Sequence, residues 1–462
     1  MPSRTYQCRE QHGSHIIQTL LRKHDISHNG FLPPKLPLSR LPDPLYEPWE
    51  EIVSNLPELL GEKELHRSVH RLEILSTKCL HTEDDWRRAY VVLSFLAHAY
   101  IWGGAEASEV SIHPAAANYQ KRLAEQTRIQ ILPPAITVPY LDVSRHLKLP
   151  PVATYASLNL WNFTTSSDDF TDLDSLQALH TFSGTEDESW FFCLSAAIEC
   201  KGARIIPVML HAIEAIQYRE YQTIAESLDE LRACIVDLGQ LLERMDERCD
   251  PMTFYNRIRP FLAGSKNAEH AGLPNGVFYD EGDGKGTWKQ LRGGSNGQSS
   301  LIQFLDVVLG VEHTSYGKGT EQRGNTTQEP RSFHEEVRSY MPEPHRRFLR
   351  HVSQMSNLRE FALRPATTDE QRRMQQAFQD ATAKLAEFRS KHMRIVTRYI
   401  ILPSRMQRKA ATVSQTVAET NDSKEPVARI TGTGGTDLIP FLKQTREETL
   451  VAGRLTGNFS DD

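Results

Sequence analysis

Four side chains stand where their chemistry would be costly unless it were used. His392 falls in the series Met374, Phe378, Ala381, Leu385, Phe388, His392, Ile395 and Tyr399, whose steps alternate between four and three. That spacing predicts one apolar stripe on a helix over 368–402. An imidazole on such a stripe needs a hydrogen bond or a metal. Taken alone, a hydrogen-bonded core histidine is the commoner outcome. Arg259, in MTFYNRIRPFLAG (252–264), has Phe254, Tyr255, Phe261 and Leu262 around it. A guanidinium in apolar company calls for a carboxylate, from the chain itself or from a ligand. Phe191 and Ser195 lie with Phe192 in ESWFFCLSAAIE (188–199). They form either a core helix whose serine bonds the preceding turn or an aromatic-walled pocket with one hydroxyl.

A lone buried histidine is also what a haem site would show, because one axial imidazole suffices. Arg389, three residues earlier on the same helix, is then the candidate cation for a propionate; otherwise its stem carries it out to solvent. GGSNGQSS (293–300) places Gly294 and Ser295 just before an apolar helix, where free amides suit polar or anionic ligand groups. GTGGTD (432–437), with Thr433, fits the hinge of a lid or an ordinary turn. DGKGTWKQ (283–290) lacks the spacing of a phosphate-binding loop and reads as a solvated glycine-rich loop. His66 and His70, spaced i and i+4, read as a solvated helix face.

The elements that must position these groups are mostly helical. Helical patterns cover about 46–60, 63–76, 83–102, 115–130, 188–199, 221–245 and 299–310, the last with Gly310 as its C-terminal cap. Ser332 and Glu335 form a capping box, and a final short helix follows 437. Proline-rich 31–48 and 131–151 read as extended, and polar 162–175 as a linker or surface loop. The chain is therefore expected to be all-α. Residues 1–161 would form an N-terminal extension and a small helical domain. A linker at 162–187 would lead to a larger helical domain at 188–462, with a mobile loop at 404–436.

With 462 residues, 39% hydrophobic and 24% charged, the composition is that of an ordinary soluble protein. The net charge of -6 gives no reason to expect nucleic acid or an anionic membrane. No apolar run is long enough to span a bilayer, and the N-terminus lacks the apolar core of a signal peptide. Six scattered cysteines without a CxxC pair argue against a zinc site or a disulfide framework and suit a reducing cytoplasm.

The ordered set RSKHMRIVTRYIILP (389–403), GTGGTDLIPFLK (432–443), GGSNGQSSLIQFLDVVLG (293–310) and SYMPEPHRRFL (339–349) resembles the indoleamine 2,3-dioxygenase family. WFFCLSAAIE (190–199), FYNRIRPFLAG (254–264) and HAYIWG (98–103) support the resemblance, which spans about residues 40–450. It implies haem b with His392 as proximal ligand and Arg389 at a propionate. Phe191 and Ser195 would line the distal pocket, and Phe254 would pack on the substrate. Arg259 would hold the substrate carboxylate, Gly294 and Ser295 would cover the haem edge, and Thr433 would close on the amino acid. The implied reaction opens the indole C2–C3 bond of L-tryptophan with O2 to give N-formylkynurenine, in tryptophan catabolism or toward NAD. An electron donor would keep the iron ferrous, and the protein would be a cytoplasmic monomer. A haem-binding sensor or carrier on the same scaffold is the alternative. Asn296 departs from the small alanine of animal members, so the pocket rim differs there.

Overall fold

The computed structural model describes residues 15–104, 130–314, 333–407 and 438–455. Helices dominate them, as expected of an all-α chain. Short helices Glu47–Ser54, Leu56–Gly61 and Leu65–His70 pack near α1, Glu83–Trp102. Thr82 and Asp85 close a capping box at the start of α1: Thr82 Oγ1 accepts from the Asp85 amide and the Asp85 carboxylate accepts from the Thr82 amide. Every residue from Arg88 to Ile101 is buried, so this helix is enclosed on all sides. His70 is exposed as expected, but His66 is buried, its Nε2 3.0 Å from the Tyr100 carbonyl.

The segment 131–151 is not extended. After the two-residue strand β1, Ile131–Leu132, it forms helix α2, Pro134–Leu147. Pro134 occupies the first helical turn, where a missing N–H costs nothing. Ile136, Tyr140, Val143 and Leu147 keep the four-three spacing and are buried; the density of proline hides that period. Polar 162–175 is more than a loop. Strand β2, Phe163–Thr165, pairs antiparallel with β3, Leu176–Ala178, and Phe163, Phe170 and Leu173 are buried.

Next come α3, Glu186–Lys201, and α4, Tyr221–Glu243, whose Ile224, Leu228, Leu231, Ile235, Leu238 and Leu242 form the expected stripe. The supposed glycine loop at 283–290 is a hairpin: β4, Val277–Gly282, pairs antiparallel with β5, Lys285–Lys289, and β1 joins β4 in parallel. Asp283 (φ 53°) and Gly284 (φ 73°) make the two-residue turn. Aspartate-glycine is the sequence that a turn with two positive φ angles favours.

Helix α5, Ser300–Val308, starts on Ser299 and ends just before Gly310 (φ 63°). Ser332 of the expected capping box and the 115–129 part of an expected helix lie outside the described residues. Helix α6, Asp369–Val396, opens on a Thr368–Gln371 capping box and runs into a π-helical turn, Thr397–Ile401. Its packing against α4 is the most extensive helix pair among the described residues. The last helix is α7, Leu438–Ala452. One hydrophobic core runs from Ile17 to Tyr399 and takes in both halves of the chain.

Candidate active site

A cavity of about 250 Å³ lies between α3, α5, α6 and α7, with its walls completed by the connecting turns. Three π-helical turns border it: Ala156–Leu160 supplies Leu158 and Asn159, Phe254–Ile258 supplies Phe254, and Thr397–Ile401 supplies Tyr399 and Ile400. A π turn inserts a residue into a helix and re-aims the side chains around it, which is why such turns gather at functional sites.

His392, Phe388, Ile395 and Val396 form the α6 wall. The stripe read from the sequence is therefore a core stripe for most of its length and a cavity wall at its end. The His392 ring is shielded from bulk water and open toward the cavity. Burial, then the charge of Arg389, pulls its pKa down to about 4, so the imidazole is neutral at neutral pH. No group among the described residues hydrogen-bonds to it. Nor do they contain a cluster of three or more histidine, cysteine or acidic side chains placed to hold a metal. A metal bound by His392 must therefore bring most of its other ligands with it, as haem iron does. An unpartnered imidazole on an apolar wall fits that group.

Arg389 does not reach solvent. It is buried, and its Nη2 donates to both carboxylate oxygens of Asp306, at 2.6 and 2.8 Å, while Nη1 donates to Thr449. Burial opposes ionisation of Asp306, but the charge of Arg389 and the bond from His313 outweigh it and hold the carboxyl well below its usual range. A buried ion pair thus stands at one end of the cavity, which Arg389 and Asp306 both line.

Phe191 meets the edge of Phe254 at 5.0 Å, and Phe254 meets Tyr399 at 5.7 Å and 86°. Ser195 lines the cavity one turn beyond Phe191 and makes no bond to the preceding turn. Arg259 begins the short turn Arg259–Leu262, with its guanidinium 5.5 Å from the Tyr255 ring centre. Burial lowers its pKa. Gly294, Ser295 and Asn296 line the cavity as well. A Cβ on Gly293 would strike the Leu262 carbonyl, so this close approach of two backbone segments requires glycine, whereas one on Gly294 would meet only the movable end of the Leu158 side chain. The structure thus brings Phe191, Ser195, Phe254, Arg259, Gly294, Ser295, Arg389 and His392 around one cavity. Thr433 lies outside the described residues.

Sequence reasoning missed Tyr155, Glu199, Asp306 and His334. Glu199 is fully buried behind Ser195 on α3. Its carboxylate accepts from Ser299 Oγ at 2.5 Å and from the Leu301 amide at 3.3 Å. Burial raises its pKa to about 7, against the opposing pull of Ser299 and Tyr155. The amides at the start of α5, expected to be open to a ligand, are met by this internal acid and by Ser299, which accepts from Ile302. A glutamate four residues after Ser195 in an apolar helix was the available signal. Asp306 sat in LIQFLDVVLG as a lone acid in an apolar run, the same kind of signal.

A helical fold enclosing an apolar cavity, with the His392 imidazole free of hydrogen bonds from any described group and a buried cation beside it, suits a haem enzyme that acts on an enclosed substrate. The family model for indoleamine 2,3-dioxygenase matches residues 20–452. Indoleamine 2,3-dioxygenase nanC of Aspergillus nanangensis is 40% identical over 450 residues, covering 95% of this chain and 98% of that protein. Indoleamine 2,3-dioxygenase of Saccharomyces cerevisiae is 38% identical, covering 94% and 93%. 6-Hydroxytryptophan 2,3-dioxygenase fscD of Fusarium equiseti is 36% identical, covering 91% and 94%. The chain belongs to the indoleamine 2,3-dioxygenase family, whose members are haem-dependent dioxygenases.

Proposed function

We propose that this protein opens the indole C2–C3 bond of L-tryptophan with O2, giving N-formylkynurenine. The observation that carries the reading is the cavity itself, whose lining brings His392, with no hydrogen bond from a described group, together with Arg259 and an aromatic cluster. His392 would hold the haem iron, and Arg389, already paired with Asp306, would supply a cation to the haem carboxylates. The haem iron supplies the activation of dioxygen. Arg259 pairs with the substrate carboxylate. Phe254 and Phe191 flank the indole and keep water from the reacting bond. Ser195 narrows the pocket and works without acting as a base. Gly294 and Ser295 would lie over the haem edge, and Thr433 would close on the amino acid.

An external electron donor keeps the iron ferrous. The protein works as a monomer in the cytoplasm, in tryptophan catabolism or on a route toward NAD, with its catalytic machinery in 188–462. In support of a reducing compartment, the five described cysteines are all free thiols. No helix among the described residues is long and apolar enough to cross a bilayer.

The test is a steady-state assay of the haem-loaded, reduced protein on L-tryptophan, read as N-formylkynurenine, with 6-hydroxytryptophan run beside it. Turnover of L-tryptophan is expected. A protein with a Soret band that turns over neither compound is a haem carrier, and one that prefers the hydroxylated compound has another substrate. Arg259→Ala should lower kcat/KM for L-tryptophan by about 10- to 100-fold, the worth of a charged hydrogen bond, with the Soret band unchanged. An unaltered kcat/KM removes Arg259 from the substrate site.

A further inference from the structure

Beyond the catalytic wall, a second cluster of charged side chains ties the last helix to the cavity. His313, just after α5, reaches two carboxylates at once. Its Nε2 lies 3.1 Å from Asp306 Oδ2, and its Nδ1 lies 2.7 Å from Glu448 Oε2 on α7. The other Glu448 oxygen accepts from the Thr314 amide at 3.0 Å, the Thr314 hydroxyl at 2.8 Å and Gln444 Nε2 at 2.8 Å. His334 lies flat on His313, with ring centres 3.7 Å apart and planes within 16°, and Phe441 of α7 stacks on His334 in turn.

We infer that His313 is a positioning residue: as a doubly donating bridge between Asp306 and Glu448, it seats the C-terminal helix against the partner of Arg389 and so fixes one wall of the haem cavity. The stoichiometry of protons supports this. A neutral imidazole has one N–H and can donate to one carboxylate only; the imidazolium donates from both nitrogens. Both nitrogens here face carboxylate oxygens, so the bridging form is the cation. Charge agrees. Asp306 and Glu448 carry two negative charges, Arg389 supplies one positive charge, and the His313 cation supplies the second. His334 cannot share that role, because a second imidazolium stacked at 3.7 Å would repel the first; burial and then the His313 charge lower its pKa to about 3.

The same bridge reaches the cofactor site at two points. α7 contributes Phe441, Leu442 and Thr445 to the cavity wall. Thr449 of α7 and Asp306 together hold the Arg389 guanidinium. Loss of His313 would leave Asp306 and Glu448 facing each other across the seam between α5 and α7, a buried like-charge pair that favours separation. The groups facing the ring are Asp306, Glu448, Arg389 and His334. Burial pulls the His313 pKa down, but the bonds to Asp306 and Glu448 outweigh it and raise it above its ordinary value. The bridge therefore stabilises fully below the unfolded value of about 6.5 and is lost as pH rises through the raised folded value.

The experiment measures the haem-loaded full chain, by hydrogen exchange protection of amides in 438–452 and by the rate of haem transfer to a scavenger apoprotein. In the wild type, protection of 438–452 should fall on the alkaline side after correction for intrinsic exchange. His313→Ala should lower that protection and speed haem loss by at least about tenfold. His313→Gln, which keeps one donor but cannot titrate, should lie between the two and lose the pH dependence. Glu448→Gln keeps the size of the side chain and should reproduce much of the alanine effect, which covers a failure of His313→Ala to fold. Protection and haem loss within twofold of wild type in Glu448→Gln and in either histidine variant overturn the bridge. Neither measurement uses tryptophan, so a failed bridge and a failed substrate assignment give different results.

Discussion

His98 and His392 are two histidines in two long helices, and burial pulls both down to a pKa of about 4. Their surroundings differ in one respect. His98, inside α1, uses both nitrogens on the protein: Nδ1 donates to the Phe261 carbonyl at 2.7 Å, and Nε2 accepts from the Ala153 amide at 3.0 Å. These two bonds fix its tautomer and tie α1 to the turn that carries Arg259 and to the segment before the first π turn. His392, on α6, has no hydrogen bond from any described group. Burial alone therefore does not mark a functional histidine. What sets His392 apart from His98 is unused bonding capacity on a cavity wall, where a bound group can take it up.

The widest separation should come from haem. His392→Leu is expected to abolish the Soret band and all turnover, while His98→Leu keeps the Soret position; haem bound normally by the His392 variant would remove the distinction. Stability should reverse the order. His98→Leu orphans a buried carbonyl and a buried amide and should cost about 4 kcal/mol in denaturant unfolding of the apoprotein. Acid should reveal the same residue. The folded pKa of His98 lies below its unfolded value of about 6.5, so stability is lost as pH falls from about 6.5 to about 4. The contribution is about 3 kcal/mol, and the His98 variant should lack that share of the wild-type slope. The smallest effect is the most telling for the comparison: in apoprotein at neutral pH, His392→Leu should be neutral or stabilising by about 1 kcal/mol, since it removes an unpaired polar group. A loss of several kcal/mol there would show that His392 has a structural partner.

The stripes of α4 and α6 were legible because long amphipathic helices repeat one signal many times. Helix α2 was not, because its prolines carry a stronger local signal than its apolar period, and only packing beneath Tyr140 and Val143 overrides it. The β4–β5 hairpin is written in Asp283–Gly284, but the density of glycine around it reads as a solvated loop instead. The cavity residues Phe191, Ser195, Phe254, Arg259, Gly294, Ser295, Arg389 and His392 were named from motifs. Tyr155, Glu199, Asp306 and His334 were not, because each matters through a partner distant in sequence: Glu199 through Ser299 and Asp306 through Arg389.

The sequence by itself determined that the chain is helical, that His392 faces inward, and that its ordered motifs are those of one family. These are local or linear properties, set by periodicity and by residue identity. Only the tertiary structure decided that His392 lacks a partner while His98 has two, and that Arg389 is held by Asp306 rather than by solvent. It alone showed that His313 stands between Asp306 and Glu448 of the last described helix. Those facts depend on which groups arrive within about 3 Å of one another, and no spacing along a single chain fixes such distances across elements as much as 163 residues apart.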